Sequence, residues 1–181
     1  DPFNPYSVPG ETTVRLSAGF NLISFPAETI YFETMDNLMG AIGGSEVIFK
    51  MLIFDPEHQV FDEVGYDEAG RFYGINRELL PGKGLLGLIV YARQDTTLTF
   101  TSTYCSMWAL KSGTNLVGTP CSSEMTTFEL LNKIGDETVV NSIQRYNPAT
   151  GEFDTAAYHE GQPAGVDFQI VPGEGYFVYM K

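Results

Sequence analysis

Gly113-Thr114-Asn115-Leu116-Val117-Gly118-Thr119-Pro120 and Gly19-Phe20-Asn21-Leu22-Ile23-Ser24-Phe25-Pro26 are two versions of one pattern, 94 residues apart. The match continues downstream. Leu38 to Ile42-Gly43 meets Leu130 to Ile134-Gly135 at a shift of 92, as do Phe54-Asp55-Pro56 with Tyr146-Asn147-Pro148, Phe61-Asp62 with Phe153-Asp154, and Tyr66 with Tyr158. Pro81-Gly82-Lys83-Gly84 then meets Pro172-Gly173-Glu174-Gly175 at 91. Chance does not keep such order with slips of one or two residues, so the chain reads as a tandem duplication.

Each copy predicts the same elements. An alternating strand leads (Val14 and Leu16; Trp108 and Leu110), followed by a glycine turn and a short apolar strand ending at proline. A brief helix starts at Thr34 or Thr126, with Thr126 and Glu129 spaced as a capping box, and stops at Gly43 or Gly135. Two hairpin strands then flank Asp55-Pro56-Glu57-His58 or Asn147-Pro148-Ala149-Thr150-Gly151, and Pro-Gly-x-Gly launches a last apolar strand. The expected fold is mainly β with one short helix per repeat, in two tandem copies of a duplicated β-rich module. Residues 1–11 are expected as an extended arm, 12–95 as the first module, and 96–181 as the second with its leading strand.

The pattern G-x-N-L-[IV]-x-x-P, an aromatic-Asx-Pro hairpin and P-G-x-G-Y-x-V resembles repeat modules of bacterial secreted and surface proteins. There the first strand often reads G-W-N-L-I-G; Phe20 and Thr114 stand in place of the Trp, and Leu85 replaces Tyr176 at the end of the first copy. The resemblance implies a non-catalytic extracellular segment attached to other parts.

Composition narrows the classes. Thirteen Phe, ten Tyr and one Trp require a core, and the longest apolar run, Leu85 to Ala92, is too short to span a bilayer. The first ten residues have neither the basic nor the apolar region of a signal peptide, as in a mature chain that has lost one. A net charge of −13 disfavours nucleic acid and anionic membrane surfaces.

Little points to catalysis. Pro81-Gly82-Lys83-Gly84 lacks the upstream Gly and the following Ser or Thr of a phosphate loop, and no G-x-S-x-G occurs. His58 aligns with Thr150 and His159 with Asp67, so neither histidine recurs. Cys105 and Cys121 flank Gly113 symmetrically; in a hairpin centred there they would face each other as a disulfide, the alternatives being two buried thiols or a catalytic cysteine. The acids between Asp55 and Glu68 offer Asp55, Asp62, Glu63 and Asp67 as calcium ligands, against a solvated acidic hairpin. No other cofactor or metal is expected. Tyr66, Tyr73 and Tyr158 are candidates for a sugar-stacking platform, although recurrence at 66 and 158 is also what core packing predicts.

Thr96 to Tyr104 alternates as a strand, so one sheet edge needs cover. Pro2, Phe3, Pro5, Tyr6 and Val8 form a proline-rich arm that could dock in cis or on a neighbour by β-augmentation. The expected function is a non-catalytic extracellular or cell-surface structural protein, a subunit or spacer of an assembly or filament joined through strand edges. Its partners are further copies or other surface proteins. The alternative is a carbohydrate- or surface-ligand-binding adhesion module.

Overall fold

The structure is a computed structural model that describes residues 10–24, 34–76, 87–102, 109–118 and 124–181. The fold is mainly β, in antiparallel sheets. In chain order the elements are β1 (Gly10–Leu16), β2 (Gly19–Ser24), α1 (Met35–Ile42), α2 (Gly44–Val47), β3 (Ile48–Asp55), β4 (Val60–Tyr66), β5 (Phe72–Gly74), β6 (Gly87–Ala92), β7 (Thr96–Ser102), β8 (Gly113–Gly118), α3 (Thr127–Ile134), β9 (Val140–Asn147), β10 (Glu152–His159), β11 (Gln162–Gly165) and β12 (Gly175–Met180).

One five-stranded sheet runs β2-β6-β3-β4-β5 and the other β8-β12-β9-β10-β11. With strands matched in chain order, the two orders are the same. In each, the last central strand inserts between the first strand and the hairpin. That explains its apolar character: β6 is flanked on both edges and covered on both faces.

Strand alternation sends side chains to two different cores. Leu88, Val90, Met51, Ile53 and Ile23 pack beneath α1 with Met35, Leu38, Met39 and Ile42. Tyr176, Val178, Val140 and Ile143 pack beneath α3 with Leu130 and Leu131. The opposite faces meet each other: Leu22, Phe54, Ile89 and Leu116 are buried between the sheets, with Phe20, Leu52, Tyr91, Tyr146 and Phe177 packed around them. The order through the molecule is therefore helix, sheet, sheet, helix.

The helices begin as expected. Thr34 caps α1 by accepting from the Asn37 N–H, and Thr126 with Glu129 forms both bonds of a capping box on α3. Gly43 ends α1 at φ 121°, where a side chain would also strike Val47.

Several details differ from the sequence reading. A one-turn helix, α2, follows α1. Each sheet gains a short fifth strand, β5 or β11, that the periodicity does not reveal. Pro163 is tolerated in β11 because that strand lies at the sheet edge. The last strands align differently from the Pro-Gly-x-Gly match: Gly87 opposes Ser24 as Gly175 opposes Gly118, so Val90-Tyr91 corresponds to Val178-Tyr179 and Leu88, not Leu85, to Tyr176. The strand at 96–102, assigned above to the head of the second module, pairs along its length with β1, and Leu98 packs on the first core. Cys105, Cys121, Trp108, Pro81 to Gly84 and the arm residues Pro2, Phe3, Pro5, Tyr6 and Val8 lie outside the described residues.

Candidate functional site

The recurring Asn of G-x-N-L has a structural task. Asn21 is buried; its Oδ1 accepts from the Ser17 N–H at 2.8 Å, and its Nδ2 donates to the carbonyls of Ser17, Gly19 and Val90. Asn115 does the same with Lys111, Gly113 and Val178. Each amide thereby ties the preceding turn to the central strand of its sheet.

The two sheets are also joined at their edge strands. Ser24 N–H donates to the Gly173 carbonyl at 2.9 Å and its hydroxyl to the Glu174 carbonyl at 2.8 Å. At the β8 edge, the β3–β4 turn reaches across. Gln59, at φ 55°, donates from Nε2 to the Thr114 carbonyl at 3.1 Å and accepts the Thr114 N–H at 2.8 Å on Oε1. One side-chain amide thus stands in for a neighbouring strand. Beside it Lys111 and Glu57 form an ion pair at 3.3 Å.

The equivalent place on β2 is open. Positions 17 and 20 correspond to 111 and 114 by matching β2 with β8, and 149 and 151 correspond to 57 and 59 by matching the two hairpins. Here stand Ser17, Ala149 and Gly151, three small residues in place of Lys111, Glu57 and Gln59. Ser24 N–H points away from β6 to Gly173, so by antiparallel alternation the backbone N–H and C=O of Phe20 point outward too. They face a cavity of about 590 Å³ lined by Thr13, Arg15, Phe20, Tyr146, Pro148 and the Val171–Gly175 turn. Arg15 is exposed at this cavity and makes no ion pair among the described residues.

A second polar group sits on the face of the first sheet that turns towards the second, beside Leu52 and Tyr91. Glu63 accepts from Lys50 Nζ at 2.8 Å and from the Tyr73 hydroxyl at 3.0 Å, while Lys50 lies 5.1 Å from the centre of the Tyr91 ring. The Lys50 bond, helped by Tyr73, holds the Glu63 carboxyl below its usual range against a smaller opposing effect of burial. Burial and Glu63 push the Tyr73 phenol up. A depressed carboxyl contributes stability above the unfolded-chain value of about 4.3 and loses it as pH falls through the folded value. Lys50→Met is expected to raise the Glu63 titration midpoint towards that of a free glutamate, read by carboxyl carbon NMR. An unchanged midpoint would show that the pair does not set it.

The residues expected to bind calcium do not converge. Asp62 and Glu63 are neighbours on β4 and point to opposite faces. Asp55 accepts from the N–H groups of Glu57 and His58 in the β3–β4 turn. Asp67 caps the next turn through Ala69 and Arg71 N–H and pairs with the Arg71 guanidinium. Among the described residues no three acids, histidines or cysteines group as metal ligands.

Nor do the tyrosines form one platform. Tyr66 is buried in the first core and Tyr158 packs on the second, donating its hydroxyl to the Gly135 carbonyl at 2.8 Å; only Tyr73 is exposed. His58 lies beside Asp55 in its turn, and His159 ends β10 on the other sheet. The unbridged place on β2 escaped the sequence reading, although the aligned pairs Glu57/Ala149 and Gln59/Gly151 were its signal. Among the described residues no helix is long and apolar enough to cross a membrane. No family model, curated protein or solved structure matches this chain.

Proposed function

We propose that this chain is a non-catalytic structural protein, a subunit or spacer of an extracellular or cell-surface assembly, built from two copies of one module and joined to its neighbours through strand edges. The observation that carries this reading is the open edge of β2, whose outward backbone at Phe20 faces a cavity while the matching edge at Thr114 is closed within the chain. A sheet edge left unpaired is a template for another chain. The duplication is supported by the matched sequence blocks, the common strand order and the two identical Asn cradles. The pairing of β7 with β1 supports counting residues 96–102 with the first module.

Light scattering and negative-stain microscopy on the purified chain test this. Copies carrying −13 repel one another, and that field reaches about 30 Å at 0.01 M salt but only about 8 Å at 0.15 M. Particle mass is therefore expected to rise with concentration and to rise further between those salt levels. A monomer at every concentration and salt level would end the reading.

The second reading, glycan binding, draws on Phe61 and Phe153, which occupy matched positions and remain 43% and 42% exposed. Binding on a glycan array that disappears in Phe61→Ala and Phe153→Ala would favour it.

A further inference from the structure

We infer that the open edge of β2 receives the β10–β11 hairpin tip of a second copy, residues Glu160-Gly161-Gln162, in a head-to-tail contact. This rests on the assembly reading above and names its partner. The chain itself shows which chemistry satisfies this kind of edge. At β8 a hairpin turn presents Glu57 and Gln59: the carboxylate meets the cation Lys111, and the amide bridges the Thr114 N–H and C=O. At β2 both of those side chains are missing, as Ala149 and Gly151, and the cavity beside Phe20 and Arg15 reaches the neighbouring Pro148 of the same turn. What remains is the receiving half: an outward backbone N–H and C=O at Phe20 and the exposed Arg15 guanidinium, which has no ion pair among the described residues.

The giving half is present at the far edge of the other sheet. Glu160 and Gln162 repeat the Glu-x-Gln spacing at a tight turn. Both are exposed, and among the described residues neither side chain has a hydrogen-bond or ion-pair partner. Glu137 bonds the Gly161 N–H at 3.0 Å, so this tip is strongly acidic and complements Arg15. The positive φ falls on Gln59 in the first turn but on Glu160 and Gly161 in the second. The two tips therefore offer the same groups along different backbone paths. Because the two surfaces differ, the contact is heterologous and propagates into a filament unless it closes into a ring.

The test uses the full chain, with assembly followed by light scattering and folding by thermal unfolding. Arg15→Glu and Glu160→Lys are each expected to weaken association by about tenfold or more, since each places like charges together, and the double variant to restore it. Both positions are exposed, so the melting temperature should hold. Gly151→Gln gives an independent arm. Gln59 occupies the matched position at a similar positive φ, so the new amide should close the Phe20 edge in cis and abolish association in a folded chain. If the wild type assembles and all these variants assemble equally well, this contact is wrong and the assembly reading stands. If the wild type never assembles, both fall.

Discussion

Replacing Asn115 with leucine is expected to cost about 3 kcal/mol of unfolding stability, with a fall in Tm of roughly 10 °C for a domain of this size. The residue is buried, and one amide makes four bonds: it accepts the Lys111 N–H at 2.8 Å and donates to Lys111 O at 2.7 Å, Gly113 O at 3.3 Å and Val178 O at 3.3 Å. Leucine matches its size but satisfies none of these groups. The Lys111 N–H and C=O are left part-buried without the amide, and each such group costs about 1–3 kcal/mol, partly recovered where water can reach. Asn115→Asp should be worse. It keeps the acceptor for Lys111 N–H but turns a carboxylate towards three carbonyl oxygens. Asn21 makes the same set of bonds, so Asn21→Leu should cost a similar amount. Urea unfolding of the single variants checks this; a loss below about 1 kcal/mol would mean that water replaces the amide.

These two asparagines show where sequence reading succeeds and where it stops. The pattern around them marked β2 and β8, which take matching places in two sheets of the same strand order, and helix starts at Thr34 and Thr126 followed from capping chemistry. The purpose of the asparagine was not legible, because its partners Val90 and Val178 are 69 and 63 residues away along the chain. Strand order was hidden for the same reason. Nothing local distinguishes a last strand that lies at an edge from one that inserts between the first strand and the hairpin, as β6 and β12 do. The fifth strands carry Gly74 and Pro163, residues that argue against a strand unless its edge position is already known. The Pro-Gly-x-Gly match misled by three residues because turn glycines align by composition, whereas strands align by the partners they face. The open edge is harder still. It consists of side chains that are small, and smallness acquires meaning only when the matched positions 57, 59 and 111 are seen filled.

Gly87→Val or Gly175→Val should separate the two sheets. Each glycine begins the inserted strand of its sheet where that strand passes an edge strand of the other. A Cβ on Gly87 would stand 2.6 Å from Leu116 Cγ and 2.9 Å from the Leu116 carbonyl carbon; one on Gly175 would stand 2.7 Å from the Ile23 carbonyl oxygen. Backbone cannot swing aside as a flexible side-chain end can, so the strand must lift and carry the interface with it. The expected loss is about 3–4 kcal/mol, at the upper end of overpacking effects because two structural layers must move. Lifting the sheets would expose Phe20, Tyr91, Tyr146 and Phe177, which pack around the layer between them. Both variants should therefore bind an apolar dye such as ANS under conditions where the wild type does not. Gly40→Ala is the control: this helical glycine has open space where its Cβ would stand, and alanine should stabilise by about 0.5–1 kcal/mol. If Gly87→Val and Gly175→Val melt with the wild type and leave the dye dark, the sheets do not depend on this close crossing. The interface would then have to be held by its aromatic side chains alone.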